Sequence, residues 1–151
     1  MKKKIAILGS TGSIGKTLIN IIKQDKKNFE IVLLSADENY KELLKQAKTF
    51  KVKNIIINNK KSFEKIKNNK IANKIKIFND FNCYKQIFKK KIDYTMSSIS
   101  GIQGLKPTIE IIKYTKNIAI ANKEAIICGW NLIDKELKKN KTNFIPVDSE
   151  H

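Results

Sequence analysis

Arginine is absent from this chain of 151 residues: all 31 of its basic side chains are lysines, set against 14 acids for a formal charge of +17. Arginine supplies the bidentate fork that reads phosphates and guanine, so its absence argues against a dedicated nucleic-acid reader. The lysines stand in ones, twos and threes along the chain, such as Lys2–Lys4, Lys60–Lys61, Lys89–Lys91 and Lys138–Lys139, which marks solvated faces. Asparagine and isoleucine are also abundant, the signature of an AT-rich coding sequence.

Cysteine is scarce, and Cys83 and Cys128 lie too far apart for metal-ligand spacing. They read as small apolar residues in a reducing compartment. The only two prolines, Pro107 and Pro146, fall early in a predicted helix and near a strand end. No stretch approaches the roughly 20 apolar residues of a membrane span, and the short basic start lacks a signal-peptide cleavage pattern. These absences leave a cytoplasmic protein of one domain, long enough to bury a core without disulfides.

What the chain does have begins at Gly9-Ser10-Thr11-Gly12-Ser13-Ile14-Gly15. The apolar stretch Ile5–Leu8 precedes it, and an amphipathic stretch with Ile14, Leu18, Ile21 and Ile22 follows. Strand, glycine turn and helix in that order bring backbone N–H groups to a pyrophosphate at a helix start. An ordinary tight turn is the plainer alternative.

Further strands are expected at Phe29–Ser35, Asn54–Ile57, Ile75–Phe78, Tyr94–Ser98, Ile118–Ala121 and Asn143–Val147. Helices are expected at Asn39–Phe50, Ser62–Asn68, Asn82–Phe88 and Leu105–Tyr114, with two shorter pieces at Glu124–Gly129 and Leu132–Lys138. This alternation predicts an α/β fold, a Rossmann-like, doubly wound and mainly parallel sheet with helices on both faces.

Ligands of such sheets bind beyond the carboxyl ends of the strands. Besides the glycine turn, two such ends carry polar groups. Asn122, Lys123 and Glu124 follow one strand, where Asn can bond an amide or ribose, Lys a phosphate and Glu a hydroxyl. The same residues also suit a helix start capped by Asn122, with Glu124 favoured by the dipole. In the ending Pro146-Val147-Asp148-Ser149-Glu150-His151, strand periodicity puts Asp148 and Glu150 on one face, able to chelate Mg²⁺ or Mn²⁺ through oxygen. The alternative there is a solvated acidic strand end. His151, the single histidine and last residue, supports no imidazole role.

Three motifs in register, GSTGSIG at Gly9–Gly15, ANKE at Ala121–Glu124 and PVDSEH at Pro146–His151, closely resemble the 1-deoxy-D-xylulose 5-phosphate reductoisomerase family. The segment Gly101–Thr108 is similar to that family's GxxGLxPT pattern. The resemblance implies rearrangement of a sugar phosphate, 1-deoxy-D-xylulose 5-phosphate, followed by reduction with NADPH to 2-C-methyl-D-erythritol 4-phosphate, a step toward isoprenoid precursors. It implies Asp148 and Glu150 as metal ligands with Lys123 among the catalytic groups, and Lys123, Ser149 and Glu150 as substrate contacts. Thr11, Gly12, Ser13, Ile14, Asn39, Asn122 and Glu124 are similar to cofactor contacts of the family, whose members are homodimers without nucleic-acid or membrane partners. Family members are much longer and continue past the DSEH motif into a catalytic domain, so residues 1–151 are expected to be an N-terminal dinucleotide-binding fragment, inactive alone.

The chain departs from the family after its second strand. There the family often places a glycine, a basic residue and an asparagine around the adenosine 2′-phosphate, whereas this sequence has Asp37, Glu38 and Asn39. Carboxylates here ordinarily accept the 2′-hydroxyl of NAD. One such charge ~4 Å from a phosphate charge costs about 1 kcal/mol in bulk water and about 4 at an effective dielectric of about 20. Compensation by a lysine such as Lys41, side chains turned to solvent, or use of NADH would each accommodate it. Two readings of other classes complete the expectations. A non-catalytic dinucleotide-binding module would bind cofactor without metal or sugar phosphate, and a basic nucleic-acid binder would show steep salt dependence.

Overall fold

The computed structural model describes residues 1–68 and 74–147. Seven parallel strands form one sheet: β1 (Lys3–Leu8), β2 (Phe29–Ala36), β3 (Asn54–Ile57), β4 (Lys76–Phe78), β5 (Tyr94–Ser97), β6 (Asn117–Ile120) and β7 (Asn143–Ile145). Their spatial order is β4-β3-β2-β1-β5-β6-β7, so the chain winds outward one way from β1 and then returns to wind the other. The order reverses between β1 and β5. Among the described residues the sheet is wholly parallel where the sequence suggested mainly parallel.

Among the described residues six α-helices connect the strands: α1 (Ser13–Lys23), α2 (Tyr40–Thr49), α3 (Lys60–Ile66), α4 (Tyr84–Ile87), α5 (Leu105–Ile111) and α6 (Lys123–Asn140). Strand side chains alternate between faces. Ile5 and Ile7 of β1 accordingly join Ile19 and Ile22 of α1, Leu43 and Ala47 of α2 and Ile66 of α3 in one core. Ala6 and Leu8 join Tyr84 of α4, Ile111 of α5 and Ile133 and Leu137 of α6 in the other. Because both faces are covered, β1 is buried from Ile5 to Leu8 without interruption, which is why its sequence reads as an apolar run rather than an alternation.

Several boundaries move. The pieces expected at Glu124–Gly129 and Leu132–Lys138 are one helix, α6, which runs through Gly129. Glycine there is not a breaker: it is buried where a Cβ would collide with the side chain of Leu105, so its smallness lets α5 and α6 approach. The expected helix over Leu105–Tyr114 tightens into a 3₁₀ turn at Ile112–Tyr114, and the one over Asn82–Phe88 shrinks to a single turn, α4. The last strand stops at Ile145, two residues short of expectation.

Candidate functional site

The glycine turn sits at the reversal point of the sheet and is braced from both sides. The Gly9 N–H donates to Ser35 Oγ at 3.0 Å, and the Ser98 hydroxyl donates to the carbonyls of Leu8 at 2.9 Å and Gly9 at 3.1 Å. Ser10 is fully buried: its N–H donates to the Ser35 carbonyl at 2.8 Å and its hydroxyl to Gln46 Oε1 at 2.7 Å, while Gln46 Nε2 returns a bond to the Ser10 carbonyl at 3.0 Å. A buried network with all members paired fixes geometry. β2, β5 and α2 thus hold the turn in place.

Two glycines are required here. Gly9 has φ of 80°, and a Cβ on it would lie 2.8 Å from the Ser98 carbonyl oxygen. A Cβ on Gly15 would overlap the Gly9 carbonyl oxygen and come within 2.6 Å of Ser10 Cα, so the helix can start against the turn only without a side chain.

Three helix starts are closed by asparagine, and those of the short α4 and α5, at Cys83 and Gly104, have no side-chain cap. Asn39, Asn59 and Asn122 cap α2, α3 and α6, each accepting a backbone N–H three residues on. α1 is also uncapped: it starts at Gly12, which has no side chain to act as acceptor, directly behind the glycine turn. The first-turn N–H groups, with no carbonyl above them in the helix, are therefore free to meet an anion, and the helix dipole favours one.

The turn ahead of α1 opens onto a cleft of about 250 Å³, whose lining includes Gly9, Thr11 and Gly12 from the turn, Asp37 after β2, Asn58 after β3 and Ser98 after β5. A second hollow of about 300 Å³ adjoins it, sharing Ser98, Ile99 and Ser100 and adding Ile14, Asn122, Lys123 and Glu124. Of the residues read as cofactor contacts, Thr11 and Gly12 line the first and Ile14, Asn122 and Glu124 the second, while Ser13, the first residue of α1, and Asn39 line neither. Lys123 stands exposed at the start of α6 beside Glu124.

Two expected contacts carry structural duties. Asn122 is 6% exposed, and its side chain is fully engaged: Oδ1 caps α6 through the Ala125 N–H at 3.1 Å, and Nδ2 donates to the carbonyls of Ile99 at 2.6 Å and Gly101 at 2.5 Å. That ties α6 to the segment following β5, so Asn122 shapes the hollow rather than offering a free amide to it. Asn39 uses its oxygen to cap α2 through the Glu42 N–H at 3.2 Å. Asp148, Ser149, Glu150 and His151 lie outside the described residues, among which no cluster of three or more His, Cys, Asp or Glu could hold a metal.

Sequence reasoning missed Asn58, Phe81 and Gln103, which also line the cleft, and the bracing pair Ser35 and Ser98. The strand-end rule that singled out Asn122 would have found Asn58 and Ser98, since each directly follows a strand. Phe81 reaches the cleft from a loop and Gln103 from a 3₁₀ turn over Ile102–Gly104, neither of which a local pattern sets.

Reversal of strand order, a glycine turn with an uncapped helix behind it, and a cleft across the carboxyl ends of β1, β2, β3 and β5 define a Rossmann-like, doubly wound α/β fold. Residues 5–129 match the family described as 1-deoxy-D-xylulose 5-phosphate reductoisomerase, and the chain belongs to that family. It is 60% identical over 152 aligned positions to the 1-deoxy-D-xylulose 5-phosphate reductoisomerase of Pelagibacter ubique (strain HTCC1062), covering 99% of this chain and 39% of that protein. Its fold is similar to the Zymomonas mobilis reductoisomerase in complex with NADPH, with a TM-score of 0.88 at 27% identity over 100% of this chain and 40% of that one. A reductoisomerase solved with NADPH, fosmidomycin and magnesium gives a TM-score of 0.84 at 29% identity, over 99% and 37% of the two chains. The chain thus spans about two fifths of the length of the relatives it matches. No described helix is long and apolar enough to cross a membrane.

Proposed function

We propose that this chain is the NADPH-binding part of an enzyme that isomerises 1-deoxy-D-xylulose 5-phosphate and reduces the product to 2-C-methyl-D-erythritol 4-phosphate, acting as a cytoplasmic homodimer. The observation that carries the reading is the uncapped start of α1 behind a braced glycine turn at the reversal point of the sheet. Relatives of the same fold are solved with NADPH and with magnesium, which supports the same ligands here.

In this reading Thr11, Gly12, Ser13 and Ile14 hold the pyrophosphate through backbone N–H groups and hydroxyls. Asn39 and Glu124 complete the nucleotide contacts. Asn122 positions the loop between β5 and α5, and through it the wall shared by cleft and hollow. Lys123, at the mouth of the hollow, meets the sugar phosphate with Ser149. Two carboxylates, Asp148 and Glu150, suit a hard divalent cation, Mg²⁺ or Mn²⁺, which supplies Lewis acidity and a template for the substrate oxygens. They do not fill an octahedral shell alone, so water, substrate and other protein groups must complete it.

The test is substrate-dependent NADPH oxidation by the protein that carries this sequence, at the full length of its relatives. Asp148→Asn and Glu150→Gln are expected to lower turnover at least a hundredfold, the loss of a main electrostatic stabiliser, while NADPH binding persists. NADPH binding without turnover in the unmodified full-length protein would instead leave a cofactor-binding module.

A further inference from the structure

The cleft places a carboxylate where an extra phosphate would have to sit. β2 ends at Ala36, and the next residue, Asp37, lines the cleft with Gly9, Thr11 and Gly12. Beyond it, on the side of the sheet away from β5, the lining continues to Asn58, after β3, and Phe81, after β4. A dinucleotide whose pyrophosphate rests on the start of α1 therefore lays its adenosine half across the tip of β2. The ribose comes beside Asp37, and the base runs toward Phe81.

The backbone at this tip is anchored. The Asp37 carbonyl accepts the Asn59 N–H at 2.9 Å, and the Glu38 carbonyl accepts the Ser62 hydroxyl at 3.0 Å. Asn39 is tied to its cap. What varies here is side-chain chemistry, and it is acidic: Asp37 and Glu38 are both exposed, and among the described residues neither forms an ion pair with a lysine, Lys41 included. With no arginine in the chain, no guanidinium fork faces the ribose. A carboxylate at the end of the second strand, about twenty residues beyond the glycine turn, accepts hydrogen bonds from a ribose 2′-hydroxyl and repels a 2′-phosphate.

We propose that Asp37 is a specificity-determining residue that reads the adenosine ribose as a diol, so that this chain takes NADH as well as NADPH, with at most about tenfold between them, the size of one weakly screened charge contact. The inference goes beyond the NADPH reading above and rests on its dinucleotide cleft.

Calorimetric titration of the protein that carries this sequence with NADH and with NADPH, in wild-type, Asp37→Asn and Asp37→Gly/Glu38→Lys forms, tests it. Wild-type protein is expected to bind both. Asp37→Asn should shift the NADPH-to-NADH affinity ratio about tenfold toward NADPH, and the double variant further, since each step removes or reverses one charge. Among the described residues the Asp37 side chain makes no hydrogen bond, so an unchanged urea midpoint is the folding control. A hundredfold or greater wild-type preference for NADPH, unmoved by Asp37→Asn, would overturn the proposal and leave the dinucleotide reading standing. Failure of either nucleotide to bind folded protein would overturn both.

Discussion

Gly15 and Asn122 show how single residues set the site without touching a ligand. Gly15 has room only for hydrogen, so Gly15→Ala must push α1 away from the turn. Overpacking of this kind costs about 1–3 kcal/mol. The expected outcome is a lower urea midpoint and, because the displaced first turn supplies the anion contacts, at least about a tenfold loss of NADPH affinity, one hydrogen-bonded contact's worth. Asn122→Ala removes a cap and the amide that donates to the partly buried carbonyls of Ile99 and Gly101, the second of which keeps the Gly104 N–H, and a loss of about 2–4 kcal/mol follows from adding the cap to one unsatisfied acceptor. Chemical denaturation measures it; a loss under about 0.5 kcal/mol, as for an ordinary surface site, would show that the three hydrogen bonds contribute nothing.

Strands meet at their amino ends through a charge-assisted bond that links β1 to β5. Asp93, which precedes β5, accepts the Lys4 N–H at 2.8 Å and faces Lys116 at 3.6 Å. The Lys4 N–H, chiefly, holds its carboxyl below the usual range, with Lys116 adding to the effect and partial burial opposing it. A lowered folded pKa means stability that is present above the unfolded value of about 3.9 and lost as pH falls through the folded one. Asp93→Asn should therefore cost about 1 kcal/mol at neutral pH and flatten the acid limb of the stability profile. Equal stability of the two forms at pH 7 would contradict this. The elements themselves were largely legible in the sequence, because strands buried on both faces read as unbroken apolar runs and helices carry one apolar face. Asn54–Ile57 and Tyr40–Thr49 show this best. α6 was not, since Gly129 mimics a break until Leu105 is seen against it. The short α4 and the 3₁₀ turn after α5 depend on tertiary packing that local spacing does not encode.

Over the whole molecule, the cores on the two faces of the sheet differ in what they hide. Cys83 lies in the core beside α4, where burial pushes its thiol up to about 11, while Cys128 is exposed on α6. At pH 7 the thiolate fraction of Cys83 is then on the order of one in ten thousand, and the thiolate is the reactive form. A thiol reagent should label one cysteine in native protein and two in denaturant; rapid native labelling of both would contradict the packing of that face. The doubly wound class of the fold followed from the alternation of strands and helices, whereas the strand order that puts the glycine turn at the reversal point is seen only in the structure. Of the cleft's other walls, Asn58 and Ser98 were within reach of the strand-end rule, but Phe81 and Gln103 join them only when segments distant in sequence become neighbours. Everything proposed for the chain depends on that cleft holding a dinucleotide at the start of α1. Calorimetry of NADPH binding to wild-type and Gly15→Ala protein addresses this directly: saturable one-to-one binding to the wild type, weakened in a variant that remains folded, is the predicted result. No heat of binding at millimolar NADPH, with NADH equally silent, from wild-type protein shown to be folded would contradict it.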